Sequence, residues 1–515
     1  MKSYSKNYIK IYSLQFVSIL LGFISIFIVL PYLSSSQQIY GVYALCISTT
    51  IFLSYADFGF LTAATKYASE TIAVNNKSEE INIIGFVLFI MILCSLVFSI
   101  AAFLISQYPE IFIKDIKGTT SYFIASKLFF ILAISAPLIV LNRVLQVIFT
   151  IRLEDYFSQT VLIISNLIKI ASVFYFFSKG QYKIVEYFAF TQLILFISTI
   201  LLLIIVKKKY SYSLTALFNA TKFNKIIYDK TKKLAFGSML GVVLFILYYE
   251  LDSLAISKFI GSSALAIFAI GASISSVLRG LFGALFGPVY VRINHLVALK
   301  DDKNTMGYIN KVITLTLPLS VISIAVILTL MHPLVLTWVG ERYIGSIEIA
   351  IFLIFAYSFS FVTYPAGALL VAKERVKTTN YVMLLSLLIY WVGILLFFNV
   401  YSYKVFAIFK LITLTLSGVL YFFILNKFML GEIKKTVLKN LLPLFLTTTL
   451  IFFSSYLSNE LIIATKSKIQ LLITILYGAT LFVISLAIYA LLSPTFRNET
   501  MAYYKSIRIK KMLQV

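Results

Sequence analysis

Apolar stretches of about 20 residues recur from one end of the chain to the other, the length at which an α-helix crosses the hydrocarbon layer of a bilayer. The stretches are continuous and do not alternate polar with apolar, so they predict helices and not the strands of a membrane barrel. Fourteen spans are predicted, at 11–31, 40–60, 83–105, 122–149, 157–178, 184–206, 235–256, 264–287, 309–331, 346–370, 378–399, 402–426, 440–458 and 469–492. The first follows Lys2, Lys6 and Lys10 as the core of a signal peptide would. It is too long for that role and no Ala-x-Ala-like site follows, so it is read as a retained span.

Composition supports a lipid environment: 60% of the 515 residues are hydrophobic and 12% charged, more apolar than a water-soluble chain of this length can bury. The fold class expected is therefore all-α, a polytopic membrane protein of about fourteen transmembrane helices.

The net charge of +24 would suggest nucleic acid in a soluble protein, but sorted by loop it reports topology, and no nucleic-acid partner is expected. The N-terminus, the even-numbered loops and the C-terminus carry 30 of the 44 basic residues, among them Lys207, Lys208, Lys209 and the tail cations Lys505, Arg508, Lys510 and Lys511, and the opposite loops carry 9, including Lys117 and Lys179. This bias predicts that both termini are cytoplasmic.

The longest connection, Lys207 to Lys233, interleaves lysines with Tyr210, Tyr212, Leu214, Leu217, Phe218 and Phe223. It reads as a segment lying on the membrane surface with its lysines at anionic headgroups. It also divides the chain: 1–206 as a six-helix half, 207–234 as a basic linker, 235–430 as a second six-helix half, and 431–515 as two appended helices with a basic tail. The stretch from Tyr43 to Ser48 aligns with that from Phe268 to Ser273, and the polar turn Arg152 to Tyr156 with Lys373 to Lys377. These similarities predict two pseudo-symmetric, parallel halves around a central cavity.

Five cations fall inside predicted spans: Lys127, Arg143, Lys169, Arg279 and Lys410. A charge in the bilayer interior costs a few kcal/mol, so such a residue normally faces a cavity or a partner. Lys127 and Arg143 are near enough to span ends to snorkel, whereas Lys169, Arg279 and Lys410 lie too deep to reach the interface easily. A cationic cavity asks for an anionic guest such as phosphate, pyrophosphate or carboxylate. Arg279, Lys169, Lys410 and Arg143 are thus the substrate-binding candidates. Arg279 leads them, because Gly271, Gly280, Gly283, Gly287 and Pro288 along the same span would permit close approach or opening of the helix there. Asp57, Glu250 and Asp252 are the candidates for ion coupling. Glu250 and Asp252 point to different faces of a helix, so that one could face the cavity while the other pairs with Lys258.

Other chemistry is excluded. The sequence has no Gly-Lys dipeptide and hence no phosphate-cradling P-loop. His295 and His332, far apart at span edges, build neither a metal centre nor a triad, and Cys46 and Cys94 lack metal-ligand spacing. No cofactor, metal or catalytic residue is implied.

Tyr40-Gly41-Val42-Tyr43-Ala44-Leu45, followed by Asp57-Phe58-Gly59-Phe60, resembles a motif near the second span of polysaccharide and O-antigen flippases, members of the MATE-like exporter superfamily. The stretch Glu250 to Gly261, with Asp252, Lys258 and Phe259, is similar to their signature at span seven. The chain departs from the family at Lys66, where an Arg is common, and its first span lacks the carboxylate of multidrug-extruding relatives. The resemblance implies alternating-access transfer of an undecaprenyl-pyrophosphate-linked oligosaccharide, an O-antigen (lipopolysaccharide) or capsule repeat unit, from the cytoplasmic to the periplasmic leaflet of a bacterial inner membrane. It also implies membrane lipids, a polysaccharide polymerase and chain-length proteins as partners. A membrane-embedded polymerase or glycosyltransferase is the competing reading, but the longest outer loop, about 107–121, is short for one. A cation-coupled drug antiporter ranks lower, because the embedded charges are nearly all positive.

Overall fold

The computed structural model describes residues 2–55, 57–114, 116, 120–178, 180–463 and 465–502, and these are almost entirely helical. Lys117, Lys179, Lys505, Arg508, Lys510 and Lys511 of the charge pattern lie outside the described residues. Thirteen helices among the described residues are long and apolar enough to cross a membrane. In lipid a spanning segment must satisfy its own backbone hydrogen bonds, which is why each long apolar run closes into a helix.

The chain forms two compact units, Met1–Ala266 and Ile267–Val515. The first contains α1 (Lys2–Leu33), α2 (Gln37–Tyr55), α3 (Phe60–Ala73), α4 (Lys77–Gln107), α5 (Thr120–Thr150), α6 (Tyr156–Phe176), α7 (Ile184–Tyr210), α8 (Leu214–Ala220), α9 (Lys225–Tyr249) and α10 (Leu251–Phe259). Helix α5 is its centre and packs against α2, α4 and α7, while α6 lies against α1 and α7. The second begins within α11 (Ser262–Ala298) and continues through α12 (Asp302–Thr329), α13 (Met331–Trp338), α14 (Ser346–Phe355), α15 (Ser360–Ala372), α16 (Val376–Tyr401), α17 (Lys404–Phe428), α18 (Glu432–Leu461) and α19 (Lys468–Leu492). There α17 packs against α14, α15 and α16, and α18 and α19 pack on α12. Ile313, Val362, Leu425, Ile451 and Tyr489 are buried in one apolar cluster, so the last two helices share a core with α12, α15 and α17.

Three expected spans are interrupted. The second, 40–60, breaks between α2 and α3, where Phe58 and Gly59 adopt positive φ values of 47° and 78°. The seventh divides at Glu250 between α9 and α10, and the tenth passes from α14 through a 3₁₀ turn, Ala356–Phe359, into α15. Elsewhere helices outrun the apolar stretch that announced them, because polar ends beyond the hydrocarbon layer continue the same hydrogen-bond ladder. The eighth, expected to end at 287, runs unbroken through Pro288 to Ala298.

The two units repeat one another in detail. Asn76 caps α4 by accepting from the Glu79 amide at 3.1 Å, and Asp301 caps α12 by accepting from the Asn304 amide at 3.0 Å. The residue before each cap, Asn75 and Lys300, has φ 55° in both cases. At the ends of α5 and α15 the left-handed residues are Leu153 and Glu374, each one place after a cation, Arg152 or Lys373, that pairs with an acid at the start of the preceding long helix, Glu80 or Asp302. Ser165 of α6 hydrogen-bonds Ser198 of α7 at 2.7 Å, and Ser386 of α16 bonds Ser417 of α17 at the same distance. Small hydroxyl residues of this kind let helices approach closely and hold them by hydrogen bonds that lipid cannot replace.

Candidate functional site: ionisable groups set into apolar helices

In the first unit the break between α2 and α3 positions Asp57. Its carbonyl accepts from the Phe60 amide at 2.8 Å and its carboxylate from the Leu61 amide at 3.2 Å, so a buried acid closes the start of α3. A carboxylate there meets the positive end of the helix dipole. Gly59 is required twice over, by its positive φ and because a Cβ would collide with the Ala235 carbonyl. Gly41, upstream in the same motif, is equally constrained, since a Cβ there would strike the Ser262 backbone.

The structure brings Arg143 of α5 to this acid. The guanidinium acts electrostatically on the Asp57 carboxylate, and half-buried Cys94 of α4 lies within the field of the same group. Beside Arg143, Asn142 donates to Thr199 at 3.0 Å and Gln146 to Asn142 at 2.8 Å, giving α5 a polar stripe. A cation and an acid assigned from sequence to different tasks thus lie within electrostatic reach of one another. Lys169 stands apart on α6, half-buried, and no carboxylate among the described residues pairs with it.

Asp252 is buried at the start of α10 and Glu250 is half-buried at the α9–α10 junction. The expected pairing of one of them with Lys258 is not found. Lys258 is exposed and stands over the Phe112 ring at 5.8 Å. Six residues separate it from Asp252, which on a helix turns the two away from each other.

In the second unit Arg279 of α11 is half-buried and acts electrostatically on the Tyr357 and Tyr364 phenols. Tyr364 stacks on Phe286 with centroids 4.7 Å apart and planes 7° from parallel, and Phe282 approaches Tyr357 at 6.5 Å. These two tyrosines were missed in the sequence. Their spacing of seven, two helical turns, was the available sign that they share a face. The glycines along α11 divide. Only Gly271 is closely approached, with Ile349 2.7 Å from where a Cβ would stand, whereas Gly280, Gly283 and Gly287 face open space. The helix therefore does not open at Arg279 as expected. Gly280, Gly283 and Gly287 keep its flank narrow there. Lys410 of α17 is buried with its ammonium 5.7 Å from the Tyr390 ring, a cation–π contact.

Among the described residues no group of His, Cys, Asp or Glu could hold a metal ion.

The fold, polytopic and helical with broken spans and repeated helical units, is similar to that of solved structures of the MOP superfamily. It is similar to the lipid II flippase MurJ in an inward closed conformation, with a TM-score of 0.69 over 93% of this chain and 98% of that one at 17% identity. It is also similar to an inward-facing multidrug resistance MATE family transporter of the MOP superfamily, with a TM-score of 0.63 over 84% of this chain and 99% of the other at 13% identity. A MOP superfamily transporter from Pyrococcus furiosus, described by the reverse polarity of its binding pocket, matches with a TM-score of 0.51 over 85% and 97% of the two chains at 14% identity. No family model and no curated protein matches the sequence.

Proposed function

We propose that this protein is a flippase for a polyprenyl-pyrophosphate-linked oligosaccharide, carrying it from the cytoplasmic to the outer leaflet of a bacterial inner membrane by alternating access, with both termini cytoplasmic and no covalent chemistry. The observation that carries the reading is Arg279, a permanent cation held among Tyr357, Tyr364, Phe282 and Phe286 inside a helix of a flippase-like fold. The guanidinium presents a planar fork suited to phosphate oxygens, and aromatic faces suit the apolar faces of sugar rings. Lys410, Lys169 and Arg143 are the further cations that this reading offers to an anionic substrate. Asp57, Glu250 and Asp252 are the acids available to couple transport to a cation. The glycan is an O-antigen or capsule repeat unit in this reading, and a polymerase receives it on the outer side.

The test is export in a complementation assay with membrane abundance measured in parallel. Arg279→Ala is expected to abolish export at normal abundance, and Arg279→Lys to restore part of it, since a point charge replaces the fork. An abundant alanine variant that exports normally would overturn the assignment.

A further inference from the structure

The connection between α7 and α9 is more than a tether. Its inner side is built into the first unit: Leu217, Ala220 and Tyr212 are buried, and a Cβ on Gly85 of α4 would meet the Ala220 side chain at 2.6 Å. Four lysines are engaged by protein. Lys77 donates to the carbonyls of Tyr210 and Ser211 at 2.8 and 2.9 Å, Lys209 pairs with Glu154 at 2.7 Å, Lys230 with Glu79 at 2.7 Å and Lys232 with Asp229. That leaves an outer side of unusual character. Phe218 and Ile226 are each 80% exposed and Phe223 57% exposed, although α8 has already buried its other face. Around them Lys207, Lys208, Lys222, Lys225 and Lys233 are exposed and have no acid partner among the described residues.

Large apolar side chains ringed by uncompensated cations suit neither water nor a protein core. They suit the boundary between acyl chains and negatively charged headgroups, where rings enter the hydrocarbon and ammonium groups meet phosphate. The position agrees, because α7 ends at Tyr210 and α9 starts at Lys225, and both are membrane-crossing helices by length and composition. The segment between them is thereby held at the bilayer surface. We propose that this outer face is a binding surface for anionic phospholipid, with Phe218 and Ile226 as its wedge and Lys207, Lys208, Lys222, Lys225 and Lys233 as its headgroup clamp. It recruits a shell of acidic lipid to one edge of the first unit, and this holds whatever the transported substrate is.

The experiment places the full chain, carrying Phe218→Trp, in nanodiscs that contain equal fractions of phosphatidylglycerol and phosphatidylcholine, with bromine on the acyl chains of one lipid or the other. The fluorescence added by the substitution is read against the parent. Brominated phosphatidylglycerol is expected to quench at least about twofold more than brominated phosphatidylcholine, since each lysine near a surface favours anionic lipid several-fold. Exchange of the five lysines for glutamine should bring the two quenchers to parity while quenching itself persists. Equal quenching by both lipids in the parent lysine background would overturn the anionic preference. Absence of quenching by either would overturn the lipid contact altogether and assign the face to water or a protein partner.

Discussion

The guanidinium of Arg152 meets the carboxylate of Glu80 at 2.6 Å, with the two side chains only 15% and 3% exposed. Tyr212 donates to the same carboxylate oxygen at 2.8 Å, and the Tyr210 ring lies 4.5 Å from the guanidinium. Removal of one member of a buried, hydrogen-bonded pair strands its partner's charge, at a cost of about 3 kcal/mol or more. The matching pair of the second unit, Lys373 and Asp302, is half-open, with Asp302 64% exposed, and such a pair is worth under about 1 kcal/mol. Thermal unfolding in detergent should therefore show Glu80→Gln strongly destabilised and Asp302→Asn close to the parent. Equal shifts would remove the distinction.

Glu154 gives the linker a pH dependence. Burial alone would raise its carboxyl, but hydrogen bonds from Lys209 and Tyr210 outweigh burial and hold it below the usual glutamate range. A depressed carboxylate contributes stability that is present above the unfolded value and lost as pH falls through the folded one. Amide protection relative to the intrinsic exchange rate over 211–220 should stay high at neutral pH and fall only below about pH 4.5. Glu154→Gln should exchange faster at neutral pH and lose this dependence. A flat profile in the parent would refute the role.

The glycines of α11 predict opposite outcomes. Gly271→Ala pushes a methyl group into Ile349 and Ser346, and overpacking of this kind costs about 1–3 kcal/mol. The same exchange at Gly280 or Gly283 meets open space and should leave abundance unchanged. Membrane levels of the three variants decide it, and a loss confined to Gly283→Ala would reverse the argument.

Tyr357→Phe removes a phenol on which the charge of Arg279 acts, while keeping the ring. If the phenol helps to orient the guanidinium for an anionic guest, export falls severalfold at normal abundance. Unchanged export would make the phenol irrelevant to transport.

Coupling at the acids is tested by Asp57→Asn, Glu250→Gln and Asp252→Asn. A carrier of the driving cation loses transport as its amide while still reaching the membrane. Full export from all three would end carboxylate coupling at these positions. Orientation is checked by reporter fusions, expected cytoplasmic after Lys209, Lys300 and Lys377 and external after Lys183, Lys258 and Lys404.

Helices were legible in the sequence wherever apolar length alone decides, as in α4, α16 and α19. What hydropathy could not show was interruption. Phe58, Glu250 and Ala356 each lie where the apolar count is satisfied, yet backbone geometry there departs from the α-helix. The Tyr40-Gly41 and Asp57-Phe58-Gly59 motifs marked the first of these places, and the structure supplies their reason in two glycines that no side chain could replace. The embedded cations were visible because charge is rare in lipid. Their neighbours Tyr357, Tyr364 and Tyr390 were not, because aromatic residues are common in membrane helices and only the fold distinguishes those that touch a charge.

The buried pair of Arg152 and Glu80 also bears on biosynthesis. Glu80, Arg152 and Tyr212 all leave the ribosome before any of the second unit is made, and none of their partners named here is encoded later. This charge and its counter-charge can thus be joined while translation continues, before the C-terminal half has been made.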